Sequence, residues 1–211
     1  MRKILLILVL CISVSTFAQT EEKETSNFSI GLNFGLGNSL LNNEFFQNLE
    51  GSVFTTQFDL SYDLHLNEND AIFWRFELGL GAGTYNANLF SAIGQSNLRA
   101  EYLRVPLKFN AVYRLGRNQE NILSNTKFIA GIGGFLNHVY KYENSNINET
   151  SELDDIDTDF GFLFTLGLEQ DVSQKFSVML GLDYSLMGEK NKEDELKFNT
   201  AAFYIGARYR W

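Results

Sequence analysis

The chain is poor in the residues from which reactive centres and covalent staples are built: 211 residues hold one cysteine, one proline and two histidines. The cysteine, Cys11, sits in an apolar run near the N-terminus. If that run is removed, neither a disulfide framework nor a Cys/His zinc cluster is open to the remainder. Positive charge is also scarce. A formal charge of -9 repels phosphate and argues against a nucleic-acid partner. Beyond the first twenty residues no segment is long and apolar enough for a membrane helix, which needs about 20 such residues.

The N-terminus divides into basic Arg2 and Lys3, an apolar stretch from Ile4 to Val14, and a small polar stretch from Ser15 to Gln19. This is the layout of a secretory leader, with cleavage expected after Ala18. Leu8, Val9 and Leu10 precede Cys11, where a lipidation site wants a small residue, so Cys11 reads as part of the apolar run. The expected organisation is a signal peptide over 1–18, a short polar segment over 19–27 and one domain over 28–211.

What is abundant is glycine and aromatic side chain, with Gly 17, Phe 19 and aromatics at 14%. That combination suits closely packed strands better than helices. Alternation with period two is the main signal. Phe28, Ile30, Leu32, Phe34 and Leu36 share one face of a first strand. Phe54, Phe58, Leu60, Tyr62, Leu64 and Leu66 do so in a second, against Gln57, Asp59, Ser61, Asp63 and His65. A third opposes Ile72, Trp74, Phe76, Leu78 and Leu80 to Arg75, Glu77, Gly79 and Gly81; a fourth opposes Leu103, Val105, Leu107 and Phe109 to Tyr102, Arg104, Pro106 and Lys108. Pro106 has no ladder donor and demands a bulge or an unpaired position. The fifth, Phe128 to Tyr140, is interrupted by Gly131, Gly133 and Gly134, which leaves its register open.

The sixth strand sets Phe160, Phe162, Phe164, Leu166 and Leu168 against Gly161, Thr165, Gly167 and Glu169, with Leu163 as an exception. The seventh sets Phe176, Val178, Leu180, Leu182 and Tyr184 against Ser177, Gly181, Asp183 and Ser185. The eighth sets Phe203, Ile205, Ala207, Tyr209 and Trp211 against Thr200, Gly206, Arg208 and Arg210. Long polar connections are expected at 37–51, 85–97, 141–158 and 187–197, with short turns on the other side, apart from a longer 116–126. The pattern predicts an all-β, eight-stranded antiparallel up-and-down transmembrane β-barrel with its short turns in the periplasm, placed in the outer membrane.

Alternation alone also fits a soluble lipocalin-like binding barrel. Against it, the polar face carries charges of both signs, namely Asp59, Arg75, Glu77, Arg104, Lys108, Glu169, Asp183 and Arg208, with Asp63 and Arg210 beside them. Eight large apolar stripes would overfill so small an interior. The expected lumen is therefore plugged by ion pairs, because an unpaired charge there is costly. Aromatic residues at strand ends suggest two interfacial belts: Trp74, Tyr113, Phe128, Phe176, Tyr209 and Trp211 at the turn side, and Phe54, Tyr85, Tyr102, Tyr140 and Phe160 at the loop side. Phe203, Tyr209 and Trp211 on the last strand resemble an assembly signal read by the barrel-insertion machinery.

One local motif adds a family. The stretch from Glu101 to Phe109, Glu-Tyr-Leu-Arg-Val-Pro-Leu-Lys-Phe, resembles the Tyr-Leu-x-x-Pro-Leu segment of the PorT-like outer-membrane β-barrel family. The resemblance implies this fold and this cellular address. Some members of that family are tied to a secretion system and many have no assigned role, so it implies no activity.

Motifs that would carry chemistry are incomplete in this sequence. Asp155-x-Asp157-x-Asp159, beside Asp154, starts like a calcium loop, but Gly161 comes one place late and Leu166 stands where a bidentate glutamate is required. His65 and His138 fall near opposite strand ends and cannot share a site. The glycine series 31, 35, 37 and 79, 81, 83 lie in strands with no helix following, unlike phosphate loops. The sequence thus predicts no catalytic, cofactor or metal residue, and a non-enzymatic barrel with an envelope-structural role or a role in which its long loops meet extracellular or envelope partners. A narrow channel is the alternative, on the strength of the inner glycines.

Overall fold

The computed structural model describes residues 26–42, 49–66, 71–91, 94–115, 125–146, 150–187 and 197–211. The proposed leader, 1–18, and most of the segment 19–27 lie outside them. Eight strands run in chain order: β1 (Phe28–Asn42), β2 (Leu49–Leu64), β3 (Ile72–Ser91), β4 (Gly94–Leu115), β5 (Thr126–Asn146), β6 (Thr150–Asp171), β7 (Phe176–Met187) and β8 (Lys197–Arg210). Each pairs antiparallel with its neighbour, and β8 returns to β1 from Ser29 opposite Arg210 to Asn42 opposite Lys197, closing the barrel. Closure leaves no free edge, as a strand structure in hydrocarbon requires.

The period-two stripes become two surfaces. Leu36, Leu80, Ile132 and Ile205 are 60–66% exposed on the outside, while Arg75, Asn110, Asn137 and Glu169 are fully buried inside. The apolar face is therefore outermost, the reverse of a soluble lipocalin-like barrel. Glycine lets strands and inner side chains approach: a Cβ at Gly79 would lie 2.6 Å from Asp59 Oδ1 and 2.7 Å from Pro106 Cγ. Pro106 faces inward, and the β3–β4 ladder omits Gly79 and Leu80 against Pro106 and Val105 while the register on either side stays unchanged. The proline is absorbed as a local gap.

Three expectations are corrected. The long connections at 85–97 and 141–158 are mostly strand, with β3 reaching Ser91, β4 starting at Gly94, β5 reaching Asn146 and β6 starting at Thr150. Once neighbouring strands are paired, extending the ladder satisfies backbone groups that a loop would leave to water. Asp155, Asp157 and Asp159 accordingly lie on β6 and not in a loop; the side chains of Asp154, Asp155 and Asp157 lie outside the described residues. Second, Tyr85 and Tyr102 are buried inside the barrel and do not belong to the outer aromatic belt. Third, the lumen is not polar throughout: Val53, Tyr85, Tyr102, Phe135, Leu163 and Met187 contribute to an apolar cluster near its outer end. Leu163, which broke the alternation of polar residues, belongs to that cluster.

The irregular β5 also resolves. Lys127, Ile129, Phe135, Asn137 and Val139 face inward, and Phe128, Ile132, Leu136 and Tyr140 face outward. Glu101 pairs with Lys141 and Tyr102 with Val139, so Tyr140 is an extra residue in a β-bulge. Its hydroxyl donates to Glu101 Oε2 at 3.0 Å.

Candidate functional site

The polar interior is layered along the barrel. Nearest the periplasmic end, Glu169 on β6 is the hub, fully buried. Its carboxylate accepts from Arg75 Nη1 at 2.5 Å, Lys127 Nζ at 3.0 Å, Arg208 Nη1 at 3.1 Å and Ser177 Oγ at 3.2 Å, and also from Arg210. Arg75 spans from Glu169 to Asp63, donating Nε to Oδ1 at 2.5 Å and Nη2 to Oδ2 at 2.9 Å. Arg208 reaches Glu77, and Asp171 accepts from Lys127 at 2.7 Å and Arg210 at 3.2 Å. Strands β2, β3, β5, β6, β7 and β8 thus converge on one cluster of charge.

These positions follow from register. Lys127 faces Glu169 across β5–β6, and Asp63 faces Arg75 across β2–β3. Odd-numbered residues of β6 point inward, which carries Asp171 onto the same stripe as Glu169. Lys127 and Asp171 escaped the sequence reading because each strand runs slightly further than its clear alternation. The signal available was parity: each stands two residues from an inward position.

A second layer holds Asp59, Lys108 and Asp183. Asp59 accepts from Asn33 Nδ2 at 2.5 Å and Gln57 Nε2 at 2.6 Å. Lys108 donates to Asp183 Oδ2 at 2.9 Å, and Thr165 Oγ1 donates to Asp183 Oδ1 at 2.7 Å. Above it, Arg104 donates Nε to Asn137 Oδ1 at 3.3 Å and Nη1 to Ser185 Oγ at 3.4 Å. Its guanidinium lies 4.2 Å from the Phe135 ring centroid and 5.1 Å from that of Tyr102.

The eight charges singled out from sequence do not form one group. Arg75, Glu77, Glu169 and Arg208 share the periplasmic cluster, Asp59, Lys108 and Asp183 occupy the next layer, and Arg104 stands apart. Phe203 is exposed on β8, and Trp211 follows that strand, its carbonyl accepting from Ser26 N–H at 2.7 Å. Tyr209, also on β8, is half-buried. His138 meets Thr158 Oγ1 through Nδ1 at 3.0 Å on the outer half of the barrel. His65 stands beyond the end of β2, its ring 4.5 Å from that of Phe73. Burial, reinforced by the Arg114 charge, holds its imidazole below the ordinary value.

At the periplasmic mouth the lumen widens into a cavity of about 520 Å³ lined by residues including Asp63, His65, Arg114, Lys127, Asp171 and Arg210. Further in stands the hub, with Arg75 and Glu169 fully buried. Among the described residues no three His, Cys, Asp or Glu side chains are grouped to hold a metal ion. Ion pairs of this kind brace strands against one another: separating any one strand leaves a buried charge uncompensated.

Comparison with known proteins bears on the whole barrel. A sequence model of a family described as "outer membrane protein beta-barrel domain" matches residues 4–210. Among solved structures, the chain is similar to Neisserial surface protein A, with 14% identity, a TM-score of 0.52, and 90% of this chain and 100% of that one covered. It is also similar to the outer membrane protein OprG from Pseudomonas aeruginosa, with 12% identity, a TM-score of 0.51, and 91% and 99% covered. At such identities the likeness concerns the fold alone. No curated protein matches the sequence.

Proposed function

Because the chain belongs to the outer membrane protein β-barrel domain family, and so is an integral outer-membrane barrel in contact with lipid, we propose that it works without catalysis, as a sealed envelope scaffold that presents two tall hairpins to partners outside the membrane. The observation that carries this reading is the hub at Glu169, where four cations and a hydroxyl meet one buried carboxylate. An eight-stranded barrel leaves room only for side chains, and here those side chains are cross-braced.

The hairpins support the second half of the proposal. About 9 to 11 residues carry a strand across the hydrocarbon, whereas β3 to β6 have 20 to 22 each. Their outer parts stand clear of the membrane as paired strand, with ion pairs such as Arg99 with Glu101 at 2.6 Å on the surface. A rigid, polar β-surface suits binding at low ordering cost. Finer assignments belong to the same proposal: membership of the PorT-like group, from the Glu101 to Phe109 motif; a cleaved leader over 1–18; and recognition of Phe203, Tyr209 and Trp211 by the insertion machinery.

Planar-bilayer recordings test the sealed lumen. Purified, folded protein is expected to give no steady single-protein conductance. Reproducible steps would favour the narrow channel, for which the wide periplasmic mouth is the supporting feature.

A further inference from the structure

The strands differ in height, and the difference leaves backbone groups open. β6 runs from Thr150 to Asp171, but β7 pairs with it only from Gly161 to Asp171. That doubly paired part is as long as the roughly 9 to 11 residues a strand needs to cross hydrocarbon, so the rest of β6 stands outside the membrane. Beyond Gly161 the strand is paired on its β5 side, interrupted by one bulge between Asp154 and Asp157, and among the described residues β7 does not follow it. Extending β7 cannot cover the whole length. Register sets Ser185 opposite Thr200 and Met187 opposite Gly161, so a β7–β8 hairpin carried to its limit turns near Lys192 and reaches β6 no further than Asp157. Thr150 to Ile156 is an edge beyond the reach of that hairpin.

An open edge presents a row of N–H and C=O groups as a template for another strand. Here the sequence adds charge of one sign: Glu152, Asp154, Asp155 and Asp157 stand along it, and β6 has no Lys or Arg from end to end. Nearby segments do not neutralise it. Arg99 pairs with Glu101 on β4, and Lys141 with Glu143 on β5. Between β7 and β8, Lys190 and Lys192 are outnumbered by Glu189, Glu193, Asp194 and Glu195. A second copy of this chain would bring acid to acid, and like charges directly opposite one another destabilise a pair of strands. An extended segment rich in Lys or Arg is matched in backbone and in charge at once. The opposite edge of the tall sheet, on β3 past Asn86, runs only from Ala87 to Ser91 and carries no charge, so it offers less backbone and no electrostatic choice of partner.

We propose that the outer edge of β6, Thr150 to Ile156, is a docking site for an extended basic segment of another protein outside the membrane, which joins the tall β3–β6 sheet as a further strand. Main-chain hydrogen bonds supply the affinity, and the acidic residues select the partner. This assignment rests on the reading of the tall hairpins as a partner surface; it names the part of them that is used and the chemistry of what binds.

The test uses the full folded barrel in zwitterionic micelles and a dye-labelled peptide of alternating Lys and Thr, followed by fluorescence anisotropy, with amide hydrogen exchange located by mass spectrometry. Binding is expected to saturate, to weaken with salt and to slow exchange at 150–156. No binding, or protection that appears elsewhere, overturns the proposal. A peptide with Glu in place of Lys should not bind. A peptoid carrying the same amine and hydroxyl side chains on its nitrogens keeps the charge and has no backbone N–H, so it should bind more weakly by about tenfold or more; equal affinity would reduce the contact to charge alone and overturn the added strand. Glu152→Gln combined with Asp154→Asn and Asp155→Asn should weaken the Lys peptide by about tenfold, and an unmoved affinity in that variant, folded by its heat-modifiable gel mobility, overturns the selection by charge. Exchange at 150–156 that is already slow without peptide means that the edge is covered, by the chain itself if this holds at every concentration and by a second copy if it grows with concentration. Either result overturns this site and leaves the sealed scaffold standing, which the bilayer recordings test on their own.

Discussion

At the scale of single residues, Glu169 is the position where one atom group decides most. With four cations around it, Glu169→Gln leaves like charges facing one another in a dry interior. Removing one member of a buried pair typically costs about 3 to 5 kcal/mol, and that much is expected here as a lower bound. Urea unfolding in lipid vesicles, followed by tryptophan fluorescence, measures it; a loss below about 1 kcal/mol, the size found for exposed pairs, would sink the hub as a brace. His65 makes a prediction of opposite character. Its folded pKa is lowered from 6.5 by burial and then by Arg114, so the folded chain takes up that proton less readily than the unfolded one. Its contribution to stability is complete above pH 6.5 and is lost as pH falls through the lower folded value. His65→Gln should therefore flatten part of the acid-side decline in stability, and superimposable pH curves for the two proteins would refute this.

At the scale of strands, the two faces of β6 and the β3–β4 seam are the sharpest tests. Phe164 is 47% exposed on the outer face, in the middle of an apolar stripe. Phe164→Arg is expected to cost about 2 to 4 kcal/mol, as midplane arginines do in lipid, whereas Phe164→Leu should fold nearly as well; reversible unfolding in vesicles compares the two. Thr165, one residue away, points into the lumen and holds Asp183, so its surroundings are packed side chains and not solvent. On β3, Gly79 is shaped by Pro106. Gly79→Val places a branched side chain where Pro106 and Asp59 already stand and should cost about 1 to 3 kcal/mol by overpacking. Gly81, whose Cβ would sit 3.1 Å from the Thr56 carbonyl oxygen, is less confined, and Gly81→Ala should be the milder change in the same assay.

At the scale of the whole molecule, closure converts eight strands into one cooperative unit, since β1 and β8 are hydrogen-bonded along their length. Such a unit resists detergent until heated. Protein taken from the outer-membrane fraction should migrate faster unboiled than boiled, and identical mobilities would contradict a closed barrel. The aromatic and aliphatic outer band, with Trp74 stacked on Phe109 at 4.9 Å, meets lipid, while the tall outer hairpins meet water. Their interior is accordingly filled by Tyr85, Tyr102, Phe135 and Val139, because strands outside the membrane need an apolar core of their own.

The amino-acid sequence by itself determined the strand count, the two faces and the membrane address, because side chains alternate with period two whatever the neighbouring strand is. It also showed Lys108 and Asp183 on polar stripes. It could not say which charges meet, since Glu169 and Arg75 lie on strands brought together only by closing and staggering the barrel. Nor could it place Tyr85 and Tyr102: an aromatic at a strand end reads the same from outside or inside until register assigns its face. Only the tertiary structure decided that Arg104 donates to Asn137 and Ser185 while Lys108 meets Asp183, because pairing in a lumen depends on distances across the barrel, and no local pattern records them.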